Sequence, residues 1–156
     1  MRVIQSIFAR INVPISWMAI TIMLQIFLAS HYPLMDLPAT FLIKFIGILC
    51  VIFALIIAIW SIRTSISFGN SVFTSKNLQK ILCFGPYGLS RNPIYLGECI
   101  VLFGIACILA KLSAFLIIPL FFFILRYYFI NKEERVLFEI FGADYSRYCY
   151  RVRRWI

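Results

Sequence analysis

The sequence predicts an all-α membrane protein with about four transmembrane helices, followed by an amphipathic cytoplasmic helical segment at the C-terminus. Three observations support this prediction. Hydrophobic residues make up 63% of the 156 positions and charged residues only 13%, against roughly 45–50% and 25% in an average soluble domain. Four long apolar runs divide the chain, and polar residues gather between and after them. We expect a single domain over residues 1–156.

The composition also excludes several classes of protein. The formal net charge is +9, but so apolar a chain has too little polar surface for a soluble nucleic-acid-binding protein. Anionic lipid headgroups are therefore the expected partners of the basic residues, and nucleic acid is not. The five cysteines are odd in number and lack CxxC spacing, so neither a disulfide scaffold nor a metal site is expected.

Each apolar run is long enough to cross a bilayer or nearly so, since a helical span takes about 20 residues and at least about 17. The connections after the first and the third run are short, so each pair of runs is expected to form an antiparallel hairpin. The first run lacks a small-x-small cleavage pattern, which favours a retained span over a signal peptide. The four runs cover about residues 15–30, 39–62, 93–110 and 112–130.

Basic residues outside the runs predict the orientation. They precede the first run, lie between the second and the third, and follow the fourth. The opposite side carries only Lys111 and Lys44, and Lys44 can snorkel to the interface. Both termini and the middle loop, residues 63–92, are therefore expected in the cytoplasm. The membrane would be a bacterial inner membrane or the endoplasmic reticulum, depending on the organism.

Glu98 and Arg126 are ionisable residues within the third and fourth runs. At a rise of about 1.5 Å per residue, both lie roughly 6–8 Å from the cytoplasmic helix ends. They can meet across an antiparallel pair, either as a structural ion pair or as part of a substrate site. Both interpretations remain open at this point.

The middle loop ends in a distinctive turn. Gly85-Pro86-Tyr87-Gly88 has turn chemistry, because Pro presets one dihedral angle and Gly permits a tight approach. Ser90 or Asn92 can cap the third helix, whose first turn tolerates Pro93. The free N–H groups at that helix end favour an anion. A plain turn and cap and a binding site are both compatible with this segment.

The tail after the fourth run has helical periodicity. Val136, Leu137, Ile140 and Phe141 form an apolar stripe and Gly142 ends the helix, after which Asp144 can cap a second short helix. Glu133 and Glu134 are adjacent, so on a helix they point about 100° apart and do not form a shared-proton dyad. The Arg-rich end is typical of an interfacial anchor.

Taken together, the two polar segments resemble the isoprenylcysteine carboxyl methyltransferase family, which is related to the phospholipid methyltransferases. Residues 85–95 resemble the family's Gly-x-Tyr … Arg-His-Pro-x-Tyr signature. Residues 133–153 resemble its Glu-Glu … Phe-Gly-x-x-Tyr-x-x-Tyr … Val-x-Arg tail. The resemblance implies a membrane enzyme that binds S-adenosylmethionine with residues 79–97 and 131–153 and takes a lipidic or prenylated acceptor from the bilayer.

By position, the resemblance implies a cofactor pocket formed by both segments. Arg91 and the helix end at Pro93 suit the cofactor's carboxylate, whereas Glu133 suits its amine or its ribose hydroxyls. No catalytic residue is assigned. The implied cofactor-binding residues are Leu82, Tyr87, Arg91, Asn92, Pro93, Ile94, Tyr95, Glu133 and Glu134.

Two departures from the family pattern affect the predicted substrate site. Asn92 stands in place of the signature histidine, and an amide cannot titrate. Phe129 stands where the family has a basic residue that holds the acceptor carboxylate, and Arg126 is the nearest arginine. We therefore name Arg126 and Glu98 as the candidate substrate-binding residues.

The predicted reaction is carboxyl O-methylation of an isoprenylcysteine-like or other lipidated carboxylate, because that acceptor is already anionic and transfer needs mainly alignment and exclusion of water. The alternative is N-methylation of a phospholipid amine, for which only Glu98, Glu133 and Glu134 are placed to remove a proton. The rival from another class is a small four-span transporter or membrane-complex subunit without chemistry. The oligomeric state is left open.

Overall fold

The structure is a computed structural model and describes residues 14–38, 40–68 and 81–156. Within these ranges the chain is helical, and its β-structure is limited to an isolated bridge between Asp36 and Lys111. The predicted all-α class is confirmed. A π-helical segment, Leu125–Ile130, joins two of the helices. The described helices are α1 (Pro14–His31), α2 (Phe41–Ser67), α3 (Pro86–Leu89), α4 (Pro93–Leu109), α5 (Leu112–Ile124), α6 (Asn131–Phe141) and α7 (Ala143–Arg151).

Three helical stretches are long and apolar enough to cross a membrane: Pro14–His31, Phe41–Ser67 and Leu112–Phe141. The last of these is continuous through α5, the π-helical segment and α6. Helix α4 is apolar as well but has 17 residues, which is close to the lower limit for a span. That α4 is a fourth span, and that both termini are cytoplasmic, remain predictions.

Two helices extend beyond the predicted runs. Helix α2 continues to Ser67, five residues past the predicted end at residue 62. Its polar residues do not interrupt it, because Ser61, Thr64 and Ser67 each donate their hydroxyl to the carbonyl four residues earlier. The helix that contains the fourth run continues past residue 130, since Lys, Glu and Arg are good helix formers.

The described residues form two compact units. The first contains the described residues up to Ile52 together with Glu98–Ile124. At its centre Gln25 is fully buried, and its side-chain amide donates to the Leu102 carbonyl at 3.1 Å and to the Ala114 carbonyl at 2.9 Å. One buried polar side chain therefore joins α1, α4 and α5, as is typical of helix packing in lipid.

Two further sets of contacts hold the first unit together. A Cβ atom added at Gly47 would lie 2.6 Å from the Gly104 carbonyl oxygen, so α2 and α4 pack with no room for a side chain. The two short connections of this unit contact each other: the Leu37 amide donates to the Ala110 carbonyl at 3.0 Å, and Lys111 pairs with Asp36.

The second unit contains the described residues of Phe53–Gly97 together with Leu125–Ile156. Helix α7 packs with Tyr145, Tyr148 and Val152 in its core. Gly142 ends α6 as predicted, with a positive φ of 49° and its amide 2.8 Å from the Phe138 carbonyl oxygen. The fold therefore carries both polar segments of the predicted cofactor pocket in one unit.

The predicted capping role of Asp144 is wrong. Gly142 occupies the N-cap position of α7 and makes no side-chain cap bond. Helix α7 begins at Ala143, directly after Gly142, so Asp144 falls in the first turn of α7. There it pairs with Arg147 at 2.5 Å. A carboxylate in a first helical turn still interacts favourably with the helix dipole.

Candidate functional site

The tail of the second unit docks on the corner that precedes α4. The Arg91 amide donates to the Arg153 carbonyl at 3.0 Å. Ser90, through its hydroxyl, and Asn92, through its side-chain amide, both donate to the Arg154 carbonyl at 3.2 Å. The structure thus brings the two polar segments together, and it uses Asn92 to hold the tail.

Glu134 lies between two arginines. Arg154 donates to both of its carboxylate oxygens, with Nε 3.1 Å from Oε1, and Arg91 Nη1 lies 3.4 Å from Oε1. Burial is the largest single effect on Arg91 and disfavours its charge, but Glu134, Cys149 and Tyr145 together raise the pKa of the guanidinium. Arg91 Nη1 also lies 2.6 Å from the Cys149 sulfur. Both oxygens of Glu134 are therefore occupied by side chains of the protein itself.

Glu133 has a different environment although it is the adjacent residue. The Tyr95 hydroxyl donates to Glu133 Oε1 at 2.6 Å. No Lys or Arg in the described ranges lies within ion-pair distance of the Glu133 carboxylate. The predicted divergence of the two glutamates is observed, and it leaves Glu133 as a carboxylate whose charge no nearby cation of the described chain balances.

Tyr87 adjoins this carboxylate. Its carbonyl accepts a hydrogen bond of 2.7 Å from the Tyr148 hydroxyl, which ties α3 to α7. Burial raises the pKa of Tyr87 to about 12, against the effect of a hydrogen bond to Ser65 and with a contribution from the charge of Glu133. The phenol is therefore neutral at pH 7 and close enough to Glu133 to feel its charge.

The apolar members of the predicted cofactor set lie in the same unit. Leu82 is buried just before α3. Pro93 and Ile94 form the start of α4, where Pro93 is buried and Ile94 is half-buried. They can supply apolar walls beside the polar groups of Tyr87 and Tyr95.

The two candidate substrate-binding residues belong to different units. Glu98 is buried in the first unit. Arg126 belongs to the second unit, where it is exposed in the π-helical segment with its guanidinium carbon 5.6 Å from the centre of the Tyr127 ring. Phe129, which stands at the position of the missing basic residue, is buried. The meeting of Glu98 with Arg126 remains a prediction.

The role of Arg154 was not predicted from the sequence. The Arg-rich end predicts an interfacial anchor, whereas Arg154 pairs with Glu134. The chain is extended at Val152, so side chains alternate beyond it: Val152 is buried, Arg153 exposed and Arg154 half-buried. In an extended chain after the last helical turn, Arg153 and Arg154 point to opposite sides. This pattern could have identified Arg154 as the arginine that faces the protein.

The groups in this site match the chemistry of S-adenosylmethionine, which carries an ammonium, a carboxylate, a sulfonium and a nucleoside. Glu133 offers a carboxylate for a positively charged group. The buried Nε of Arg91 lacks a hydrogen-bond partner among the described residues and is a donor for a carboxylate. Tyr87 and Tyr95 supply aromatic faces and hydroxyls. The donor set therefore fits this cofactor.

Comparison with known proteins identifies a family. The family model for phospholipid methyltransferases matches residues 42–144, about two thirds of the chain. The matched region includes the corner before α4 and both glutamates. Neither a curated protein nor a solved structure matches the chain. The match confirms the resemblance noted in the sequence, and the chain belongs to the phospholipid methyltransferase family of membrane methyltransferases.

Proposed function

We propose that the protein transfers a methyl group from S-adenosylmethionine to an acceptor carried by a membrane lipid. The observation that carries the proposal is the pair of adjacent glutamates: Glu134 is enclosed by Arg91 and Arg154, whereas Glu133 accepts a hydrogen bond from the Tyr95 hydroxyl and has no cation of the described residues within ion-pair distance. This pair lies within the region that the family model matches. The long apolar helices would give the acceptor access from the bilayer.

Each residue of the site has a distinct role in this proposal. When bound, S-adenosylmethionine supplies a methyl group on a positively charged sulfur, which makes the methyl carbon electrophilic. Glu133, oriented by Tyr95, would bind the cofactor's ammonium or ribose hydroxyls. Arg91 would donate its free Nε to the cofactor's carboxylate. Glu134 would act as a positioning residue, because it fixes Arg91 and docks the tail through Arg154.

We place a phospholipid amine first as acceptor and a lipidated carboxylate second, which reverses the order expected from the sequence. The family model is that of phospholipid methyltransferases. A carboxylate would need a cation to hold it, but Arg91 and Arg154 both engage Glu134, Phe129 is buried and Arg126 is exposed beside Tyr127. The negative charge of Glu133 therefore suits a cationic amine acceptor better than a carboxylate acceptor.

Methylation of an amine requires one proton transfer. A protonated amine has no lone pair, so it must lose a proton before the N–C bond forms and the C–S bond breaks. Of the three predicted proton acceptors, Glu134 is engaged by two arginines, whereas Glu133 has no cation of the described residues within ion-pair distance. Glu133 is therefore our candidate to take the proton, and in amine methylation it would contact the cofactor's ribose hydroxyls and not its ammonium.

The test is an assay of purified protein in lipid nanodiscs with methyl-labelled S-adenosylmethionine. One sample contains phosphatidylethanolamine and another a farnesylated cysteine with a free carboxylate. We expect alkali-stable label in the lipid, lost in Glu133→Gln and kept in Glu139→Gln, an exposed glutamate on the same helix. Alkali-labile label on the prenylated acceptor would instead favour the carboxylate. Label on neither acceptor, together with no cofactor binding, would contradict methyl transfer.

A further inference from the structure

A concave site lies between α7 and the chain around α3 in the second unit. It is a cavity of about 410 Å³, and Tyr148 and Val152 of the core of this unit form part of its lining. Cys83 and Gly88 line one wall, and Asp144, Arg147 and Arg151 line the other. The lining lies in the same two segments as the proposed cofactor site, but it includes neither glutamate of the pair nor any other named cofactor-binding residue.

The lining carries one positive charge in excess. Arg147 is balanced by Asp144 at 2.5 Å, in a pair that is mostly exposed to solvent. No carboxylate in the described ranges lies within ion-pair distance of Arg151. Burial raises the pKa of the Cys83 thiol although the charge of Arg151 acts in the opposite direction. The thiol is therefore neutral at pH 7 and does not balance Arg151, so the cavity favours an anion.

Exposed apolar residues are neighbours of the lining residues in the chain. Phe84, Leu89 and Tyr150 directly follow or precede lining residues, and they are 46%, 69% and 92% exposed. Large exposed apolar side chains are unfavourable in water but favourable at the level of lipid headgroups. A lipid would bury these side chains, whereas a free anion in solution would gain nothing from them.

We propose that this cavity binds the phosphate of an anionic phospholipid headgroup, with Arg151 as the main contact and Arg147 as a second donor. A guanidinium suits a phosphate because its N–H groups match two phosphate oxygens. The site is independent of methyl transfer, so either proposal can fail while the other holds. It would anchor α7, which packs on the corner before α4 through Tyr148, at the membrane surface.

Native mass spectrometry of the full chain in detergent, titrated with phosphatidylglycerol or phosphatidylcholine, tests the proposal. We expect a bound phosphatidylglycerol that phosphatidylcholine does not replace. Arg151→Gln should weaken its binding about fivefold, the value of roughly one basic residue at a lipid surface. Asp144→Asn should strengthen binding, because it releases Arg147. Arg135→Gln, an exposed arginine on α6 outside the cavity, is the matched control and should change nothing.

Four results would contradict the proposal. Equal binding of both lipids would exclude recognition of an anionic headgroup. An equal loss in Arg135→Gln and Arg151→Gln would indicate a diffuse basic surface instead of a site. Displacement of the lipid by inorganic phosphate at the same concentration would indicate a site for soluble anions. Unchanged binding in Asp144→Asn, with folding intact by circular dichroism, would also contradict the role given to Arg147.

Discussion

At the scale of single residues, the adjacent glutamates divide two tasks. The Glu134 carboxylate pairs with Arg91 and Arg154 and thereby holds the tail against the corner before α4. Glu133 keeps a carboxylate beside the Tyr95 hydroxyl without a cation of its own among the described residues. Because the helix turns about 100° per residue, two identical side chains in sequence meet different surroundings. Substitutions at the two positions should therefore have separable effects.

Glu134→Gln should lower the free energy of unfolding more than it lowers the affinity for the cofactor. The change leaves two half-buried arginines without their carboxylate, and we expect the free energy of unfolding to fall by about 2–3 kcal/mol. Heat unfolding in detergent, followed by near-ultraviolet circular dichroism, measures this. Glu139→Gln on the exposed face of the same helix should unfold like the wild type. Equal stability of Glu134→Gln and the wild type would contradict the structural role of Glu134.

Tyr95→Phe should show the opposite pattern. The variant removes one hydrogen bond to a charged group and leaves the ring in place, so affinity for S-adenosylhomocysteine should fall about tenfold. The free energy of unfolding should fall by less than in Glu134→Gln, because one hydrogen bond is lost and both arginine pairs stay intact. Calorimetric titration gives the affinity, and Tyr127→Phe, an exposed tyrosine, serves as its control. An unaltered affinity in Tyr95→Phe would mean that Glu133 needs no orienting partner.

At the scale of elements, the helix ends depend on local chemistry that hydrophobicity does not report. The apolar runs predict where α1, α2, α4 and α5 lie, because burial in lipid is a property of whole segments. The end of α2 depends instead on hydroxyls that bond within the helix. The π-helical segment Leu125–Ile130 directly precedes the glutamates, and such segments are frequent at functional sites.

Gly142, which separates α6 from α7, has a backbone conformation that residues other than glycine rarely adopt. Its φ of 49° and ψ of −115° lie in a region that favours glycine, while an added Cβ would meet nothing within 4 Å. Gly142→Ala should therefore lower the free energy of unfolding by about 1–3 kcal/mol through backbone strain alone. Gly97→Ala, at a helical position with ordinary contact distances, is the matched control. Equal unfolding curves for both variants would contradict this reason.

The packing of α7 predicts a loss of stability at high pH. Burial raises the pKa of Tyr87 to about 12 and raises the pKa of Tyr145 and Tyr148 further. The folded chain therefore holds these protons more tightly than the unfolded chain, whose tyrosines titrate near 10. Their contribution is fully present below about pH 10 and is lost as the pH rises through the folded values.

Unfolding curves from neutral pH to pH 12, with tyrosinate absorbance recorded in parallel, measure this loss. Stability should be level up to about pH 10 and then fall. Tyr150→Phe, which removes a fully exposed phenol, should leave the curve unchanged, while Tyr148→Phe should reduce the fall. Constant stability up to pH 12 would contradict the burial of these phenols in the folded state.

At the scale of the whole molecule, composition predicted the all-α class and the two motifs predicted which segments meet. Both depend on properties that are local in sequence, namely segment hydrophobicity and motif spacing. The pairing of Arg154 with Glu134 and the place of Asp144 depend on how the tail folds back, which no local pattern contains. The acceptor order that we propose likewise depends on the family match, on the burial of Phe129 and on the exposure of Arg126, none of which the sequence pattern contains.

The most direct test of the central claim is calorimetric titration of the detergent-purified chain with S-adenosylhomocysteine. The wild type and Glu139→Gln should bind with one site per chain, whereas Glu133→Gln should lose measurable binding while its circular dichroism stays that of a folded helical protein. A wild-type chain that is folded but releases no heat would contradict the account, and a transporter or membrane-complex subunit would then be the better assignment.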